Sequence, residues 1–252
     1  MKILTIGNSF SQDATAYMER IALSDIYVRN LFIPGCDLKM HCDNIKTNEK
    51  AYEYQKNGKK LCMTTLEKAL KKEQWNVITI QQVSHLSGIL NSYFPYISEL
   101  IKYIRQNVPD AKIMLHKTWP YAHGCQHSYF SDYNNNTKTM YDSINRTVKI
   151  ISAQFNIPVI NTGDCIYNSY TECLFNPDYE SISLFRDGFH LSIPHGRYLA
   201  ALCFYLHFYN KDRINLKYLP KSMTHKQRDC LQSLAIKHLW QNKDGMMTQP
   251  SL

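Results

Sequence analysis

Ile3-Leu4-Thr5-Ile6-Gly7-Asn8-Ser9-Phe10-Ser11 joins an apolar run to a glycine turn and then to a helical pattern. That order is how the first strand of an α/β sheet feeds its helix. It also sets a serine hydroxyl at the strand's carboxyl end, beside the backbone N–H groups that a starting helix leaves free. An oxyanion forming next to Ser9 would meet those donors. The same residues allow a plainer reading, in which Ser9 or Ser11 caps a helix beginning near Asp13.

Outward from this stretch, strands and helices alternate. Ala14, Tyr17, Met18, Ile21 and Ala22 form one helical stripe. A second strand over 27–33 is stopped by Pro34-Gly35, and a third covers 77–80. Between them, Asn57-Gly58 within 52–61 predicts a small hairpin inserted beside the main sheet, followed by a helix over 64–72. The apolar spacing from Phe94 to Val108 predicts a helix ended by Pro109. A fourth strand at 112–116, a long helix through Met140, Ile144, Val148, Ile151 and Phe155, and a fifth strand at Val159-Ile160 follow. Pro194 opens another helix. A Lys-rich connection from Asn210 leads to an amphipathic helix carrying Leu231, Leu234, Ala235 and Leu239, with a frayed end at 245–252. The pattern predicts one α/β domain over 1–252, with its core at about 2–209 and a helical extension over 210–252. Its form is a three-layer α/β/α sandwich around a five-stranded parallel sheet.

Far downstream, Asp187-Gly188-Phe189-His190-Leu191-Ser192 holds a carboxylate and an imidazole three positions apart. In a turn entering a helix this spacing lets Asp187 accept from the His190 Nδ1–H while Nε2 points outward. A serine, an imidazole to take its proton and an acid to orient that imidazole are the parts of acyl transfer through a covalent intermediate. The alternative is an ordinary hydrogen-bonded histidine, one of ten in the chain.

GNSFS, Gly35 and DGFHLS together resemble the SGNH (GDSL-type) serine hydrolases. The wording ILTIGNSFS, WNVITIQQVSHLSG and RDGFHLSIPHGRYLAA is similar to a bacterial branch of otherwise unknown function, over residues 2 to about 209. The resemblance implies a flavodoxin-like fold, with Ser9 as nucleophile, His190 as base and Asp187 as its orienter. It makes the N–H groups of Ser9 and Gly35 oxyanion donors. One block departs: Gln81-Gln82-Val83-Ser84 puts Val83 where the superfamily has an asparagine. A glutamine amide can donate in the same way, so Gln82 is assigned the missing donor, with Gln81 as the alternative.

In open α/β sheets ligands bind outside the carboxyl ends of the strands. Ser9, Gly35, Gln82 and Trp119 each follow one of the first four strands. Trp119, in Thr118-Trp119-Pro120-Tyr121, is therefore a candidate substrate-binding residue, packing alone being the other reading.

Composition narrows the classes. The net charge of +8 invites a nucleic-acid partner, yet the basic groups at 46–72 and 211–243 are not interleaved with aromatics. They read as solvated faces, and an anionic polysaccharide surface would also suit them. No run of 18 apolar residues predicts a membrane span, and the chain opens with a strand at Lys2 instead of a leader. The compartment stays open: cytoplasmic, or outside if a leader was removed. Eight cysteines show no Cys-x-x-Cys pair and read as scattered small hydrophobes, with disulfides left open. His116, His123 and His127 lack an acidic partner, so neither a metal nor another cofactor is expected. The expected activity is hydrolysis of an acetyl or other short acyl ester of a carbohydrate or similar polar substrate. Alternatives are a catalytically silent carbohydrate-binding relative, a lipase or thioesterase, or a flavodoxin-like binding module. The lack of a glycine-rich phosphate loop counts against the last.

Overall fold

The computed structural model describes residues 1–23, 26–175, 182–209, 214–215 and 217–244. The expected frayed end at 245–252 and most of the Lys-rich connection lie outside them. The strands are β1 (Lys2–Gly7), β2 (Tyr27–Phe32), β3 (Tyr52–Lys56), β4 (Lys59–Thr64), β5 (Val77–Ile80), β6 (Lys112–His116) and β7 (Val159–Ile160). They form one sheet in the order β4-β3-β2-β1-β5-β6-β7.

The five parallel strands follow the sequence pattern, with β1 paired to β2 and β5, β5 to β6, and β6 to β7. The hairpin corrects the expectation of a five-stranded sheet. Instead of standing beside the sheet, β3 pairs antiparallel with β2 and carries β4 with it, giving seven strands. The free edge of β2 offered unpaired backbone groups, and a hairpin turned by Asn57 and Gly58, both at positive φ, could satisfy them.

The helices are α1 (Ser9–Thr15), α2 (Met18–Ile21), α3 (Leu38–Thr47), α4 (Leu66–Leu70), α5 (Tyr96–Asn107), α6 (Thr137–Phe155), α7 (Thr162–Phe175), α8 (His195–Phe208) and α9 (His225–Asp244). They cover both faces, making the α/β/α layers. On one side α8 packs against α1, α2, α7 and α9; on the other, α3, α4 and α5 pack together. β1 and β5 are buried along nearly their whole length, as central parallel strands must be.

Three local differences bear on the site. The first helical stripe is split into α1 and α2, and α1 starts at Ser9, capped by the Asn8 side chain on the Phe10 N–H, instead of near Asp13. Asp13 thus lies inside the helix and is buried. The unpredicted α3 buries only Leu38, His41 and Cys42, too mixed a face to read as periodic. Cys165 of α7 and Cys203 of α8 are joined as a disulfide, a pairing that spacing could not reveal. No helix among the described residues is long and apolar enough to cross a membrane.

Candidate active site

β1 ends at Gly7, and the chain turns so tightly there that a Cβ would lie 2.8 Å from Ser11 Oγ and 2.9 Å from Gln81 Cδ. Ser9 therefore emerges at the head of α1, with its N–H unpartnered among the described residues because no helical turn precedes it. Asn8 binds this turn to its surroundings. Its Oδ1 accepts from the Phe10 N–H at 3.0 Å and from Gln81 Nε2 at 2.9 Å, and its Nδ2 donates to the Cys36 carbonyl at 2.9 Å. Cys36 follows Gly35, whose φ of +60° suits glycine and whose missing side chain leaves open space.

Residues 185–191 form a tight hairpin, closed by the Phe185–Leu191 bridge and by Arg186 N–H donating to the His190 carbonyl at 3.0 Å. At its tip, Asp187 Oδ1 accepts the N–H groups of Phe189 and His190, while Oδ2 lies 2.6 Å from His190 Nδ1. His190 Nε2 lies 2.9 Å from Ser9 Oγ. The three side chains meet in one hydrogen-bonded row across 181 residues of chain. Partial burial alone would raise the Asp187 carboxyl. The hydrogen bonds from the His190 ring, the His190 N–H and the Phe189 N–H outweigh it and hold the group below its ordinary range. An ionised Asp187 keeps the imidazole proton on Nδ1 and leaves Nε2 free to accept from Ser9.

Buried Asp13 fastens this hairpin to α1. Its carboxylate accepts from Leu191 N–H at 2.9 Å, Arg197 Nε at 2.7 Å and Arg186 Nη1 at 3.1 Å. An acid at zero exposure that answers two guanidinium groups is a structural anchor, and the sequence reading missed it.

Two expected site residues are not where the expectation put them. The Gln82 amide, expected as an oxyanion donor, is bonded elsewhere. Its Oε1 accepts from Leu38 N–H at 3.1 Å and Val83 N–H at 2.8 Å, and its Nε2 donates to the Ser92 carbonyl and hydroxyl at 3.0 and 3.3 Å. Buried groups are held where hydrogen bonds satisfy them, and here both ends of the amide are taken up by Leu38, Val83 and Ser92. The alternative, Gln81, is equally committed, with Nε2 on Asn8 and Oε1 2.9 Å from His116 Nδ1.

Trp119 does not line the cleft. It is fully buried, stacked on Phe10 at 4.4 Å, and donates from Nε1 to the Phe189 carbonyl at 2.9 Å. It supports the site from beneath, because an apolar ring with one donor finds both partners there.

The cleft holding Ser9 and His190 encloses about 380 Å³ and is walled by Phe32, Gly35, Val83, His85, His127 and Tyr129. His85, His127 and Tyr129 were not expected at the site. A histidine just past β5 and a His/Tyr-rich loop after β6 were the available signals. Among the described residues no group of His, Cys, Asp or Glu gathers as a metal ion requires.

The chain resembles known proteins in sequence and in fold. The DUF4886 family, a domain of unknown function, matches residues 2–237. The crystal structure of a DUF4886 protein from Bacteroides uniformis ATCC 8492 is 34% identical, with 95% of each chain covered and a TM-score of 0.80. The chain belongs to the DUF4886 family. A protein from Slackia heliotrinireducens assigned to the SGNH hydrolases is 20% identical over 81% of this chain and 97% of that one, with a TM-score of 0.53. At that identity the likeness is one of fold, and this DUF4886 protein has the fold of the SGNH hydrolases. No curated protein matches it.

Proposed function

We propose that the protein is a serine ester hydrolase that removes a short acyl group, such as acetyl, from a hydroxyl of a carbohydrate or similar polar compound. The observation that carries this reading is the continuous row Asp187–His190–Ser9, with contacts of 2.6 and 2.9 Å.

In this mechanism His190 Nε2 takes the Ser9 proton as Oγ attacks the acyl carbon. The N–H groups of Ser9 and Gly35 hold the oxyanion, and His190 returns its proton to the departing alcohol. Water then attacks the acyl-serine with His190 again as base, releasing the carboxylic acid and restoring Ser9. Asp187 remains ionised throughout and steadies the imidazolium.

The test combines a fluorophosphonate probe with a panel of p-nitrophenyl esters from acetate to decanoate. The expected result is stoichiometric labelling of Ser9, fastest turnover on short esters, and a loss of about ten thousand-fold in Ser9→Ala with its unfolding midpoint retained. Absence of both labelling and hydrolysis would overturn the proposal and favour the silent carbohydrate-binding relative.

A further inference from the structure

We propose that the wall of the Ser9 cleft formed by His85, His127 and Tyr129 is a subsite for an uncharged, hydroxyl-bearing sugar ring. For the ester that would be cleaved there, this rests on the hydrolase reading; for binding it does not.

Tyr129 lies in the short 3-10 turn Ser128–Tyr133 and is 52% exposed, which leaves part of its ring open at the cleft. Its ring stacks on His85 with centroids 4.4 Å apart and planes at 15°. His127 completes the group, 6.0 Å from His85 and 5.8 Å from Tyr129. The wall is braced from behind, since Tyr133 OH donates to the His85 carbonyl at 2.8 Å and Phe189 meets the His127 ring edge-on at 4.9 Å.

The polar atoms of this wall are free for a ligand. His127 Nδ1 accepts from the Tyr129 N–H at 3.3 Å, so its neutral ring carries the proton on Nε2. Among the described residues, His127 Nε2, both ring nitrogens of His85 and the Tyr129 hydroxyl have no hydrogen-bond partner. Burial, with the neighbouring imidazole adding to it (His127 beside His85, His190 beside His127), lowers the pKa of both rings and favours their uncharged form.

Chemistry then selects the ligand. Among the described residues no Lys or Arg lines the cleft, and the carboxylates of Asp37, Asp132 and Asp187 act on its imidazoles, so an anionic sugar or a phosphate would be desolvated without a counter-charge. An alkyl chain would cover the imidazole nitrogens and leave them unsatisfied. A neutral pyranose meets both demands, with its C–H face on the exposed phenol ring and its hydroxyls donating to and accepting from the imidazoles. The cleft's volume of about 380 Å³ lies within the range of small-molecule sites.

The test measures binding of cellobiose, glucuronate and decanoate to the full-length Ser9→Ala protein by calorimetry and by ligand-observed NMR. Cellobiose is expected to bind, and to bind at least ten-fold more weakly when Tyr129→Ala or His85→Leu is added. Tyr129 is exposed, so its variant folds even if the His85 variant does not. Glucuronate and decanoate are expected not to bind. In the Ser9-intact protein, Tyr129→Ala should raise KM for an acetylated methyl glucoside at least ten-fold while kcat changes less than three-fold. Cellobiose binding that ignores both substitutions, or preferential binding of glucuronate or decanoate, would overturn the subsite. Cellobiose binding that obeys them in a protein without esterase activity would uphold the subsite and sink the hydrolase reading alone.

Discussion

The Asp13 carboxylate on α1 accepts the backbone N–H of Leu191 at 2.9 Å, so the helix that carries Ser9 also holds the residue next to His190. The row of three side chains depends on this link, because 181 residues separate His190 from Ser9 along the chain. Arg186 contributes a second tie, donating from Nη1 both to Asp13 and to the Leu191 carbonyl.

Asp13→Ala should therefore lower both stability and turnover. It leaves the Arg197 guanidinium, largely buried, without its counter-ion, and removing one partner of a buried pair costs about 3–5 kcal/mol. Urea unfolding reads the first effect and ester kinetics the second. An unchanged midpoint would show that Asp13 anchors nothing.

Gln81 is a positioning residue of a different kind. The chain His116 Nδ1 to Gln81 Oε1, Gln81 Nε2 to Asn8 Oδ1, and Asn8 Nδ2 to the Cys36 carbonyl connects the core to the Gly35 loop. Gln81→Met removes its central amide at similar size. kcat should fall about ten- to one hundred-fold with KM changed less than three-fold, as when an oxyanion donor is misplaced. Equal loss in kcat and gain in KM, or no loss, would refute the role; Gln81→Glu, which cannot donate to Asn8, should not rescue.

Gln82→Ala is expected to act mainly on stability. Leu38 and Val83 would each lose the oxygen that accepts their N–H, at a cost of about 1–3 kcal/mol for each group left dry. A fall in kcat of one hundred-fold or more without loss of stability would restore Gln82 as an oxyanion donor.

Stability should decline with acid because two imidazoles are buried uncharged. Burial lowers the His41 pKa to about 4 and that of His116 to about 3, from 6.5. Between those values the unfolded chain binds more protons than the folded one. The stabilisation is thus whole above about pH 6.5 and is lost as pH falls toward about 4. Each imidazole contributes a slope of about 1.4 kcal/mol per pH unit in that window. Urea midpoints at pH 7.5, 6 and 5 should fall in that order, and a flat series would contradict the burial.

Much of the architecture was legible because apolar periodicity reports burial. β1, β5 and β6, the long α6 and the stripe of α9 all carry it. Asp187 and His190 were legible for another reason: three positions in a turn fix their mutual geometry locally. The hairpin's Asn57-Gly58 was legible as a turn, but its attachment to β2 was not, since edge pairing depends on what else competes for the edge.

The sequence by itself determined a parallel α/β sheet, the serine turn at its first strand and the acid–imidazole pair, because alternating apolar runs and spacings of a few residues are local patterns. Only the tertiary structure decided which side chains reach the cleft. Gln82 and Trp119 turned away because buried amides and indoles go where their hydrogen bonds are satisfied, and those partners come from distant segments. Asp13, His85, His127 and Tyr129 took their places for the same reason: charge pairing and ring packing act through space, and spacing along the chain does not encode them.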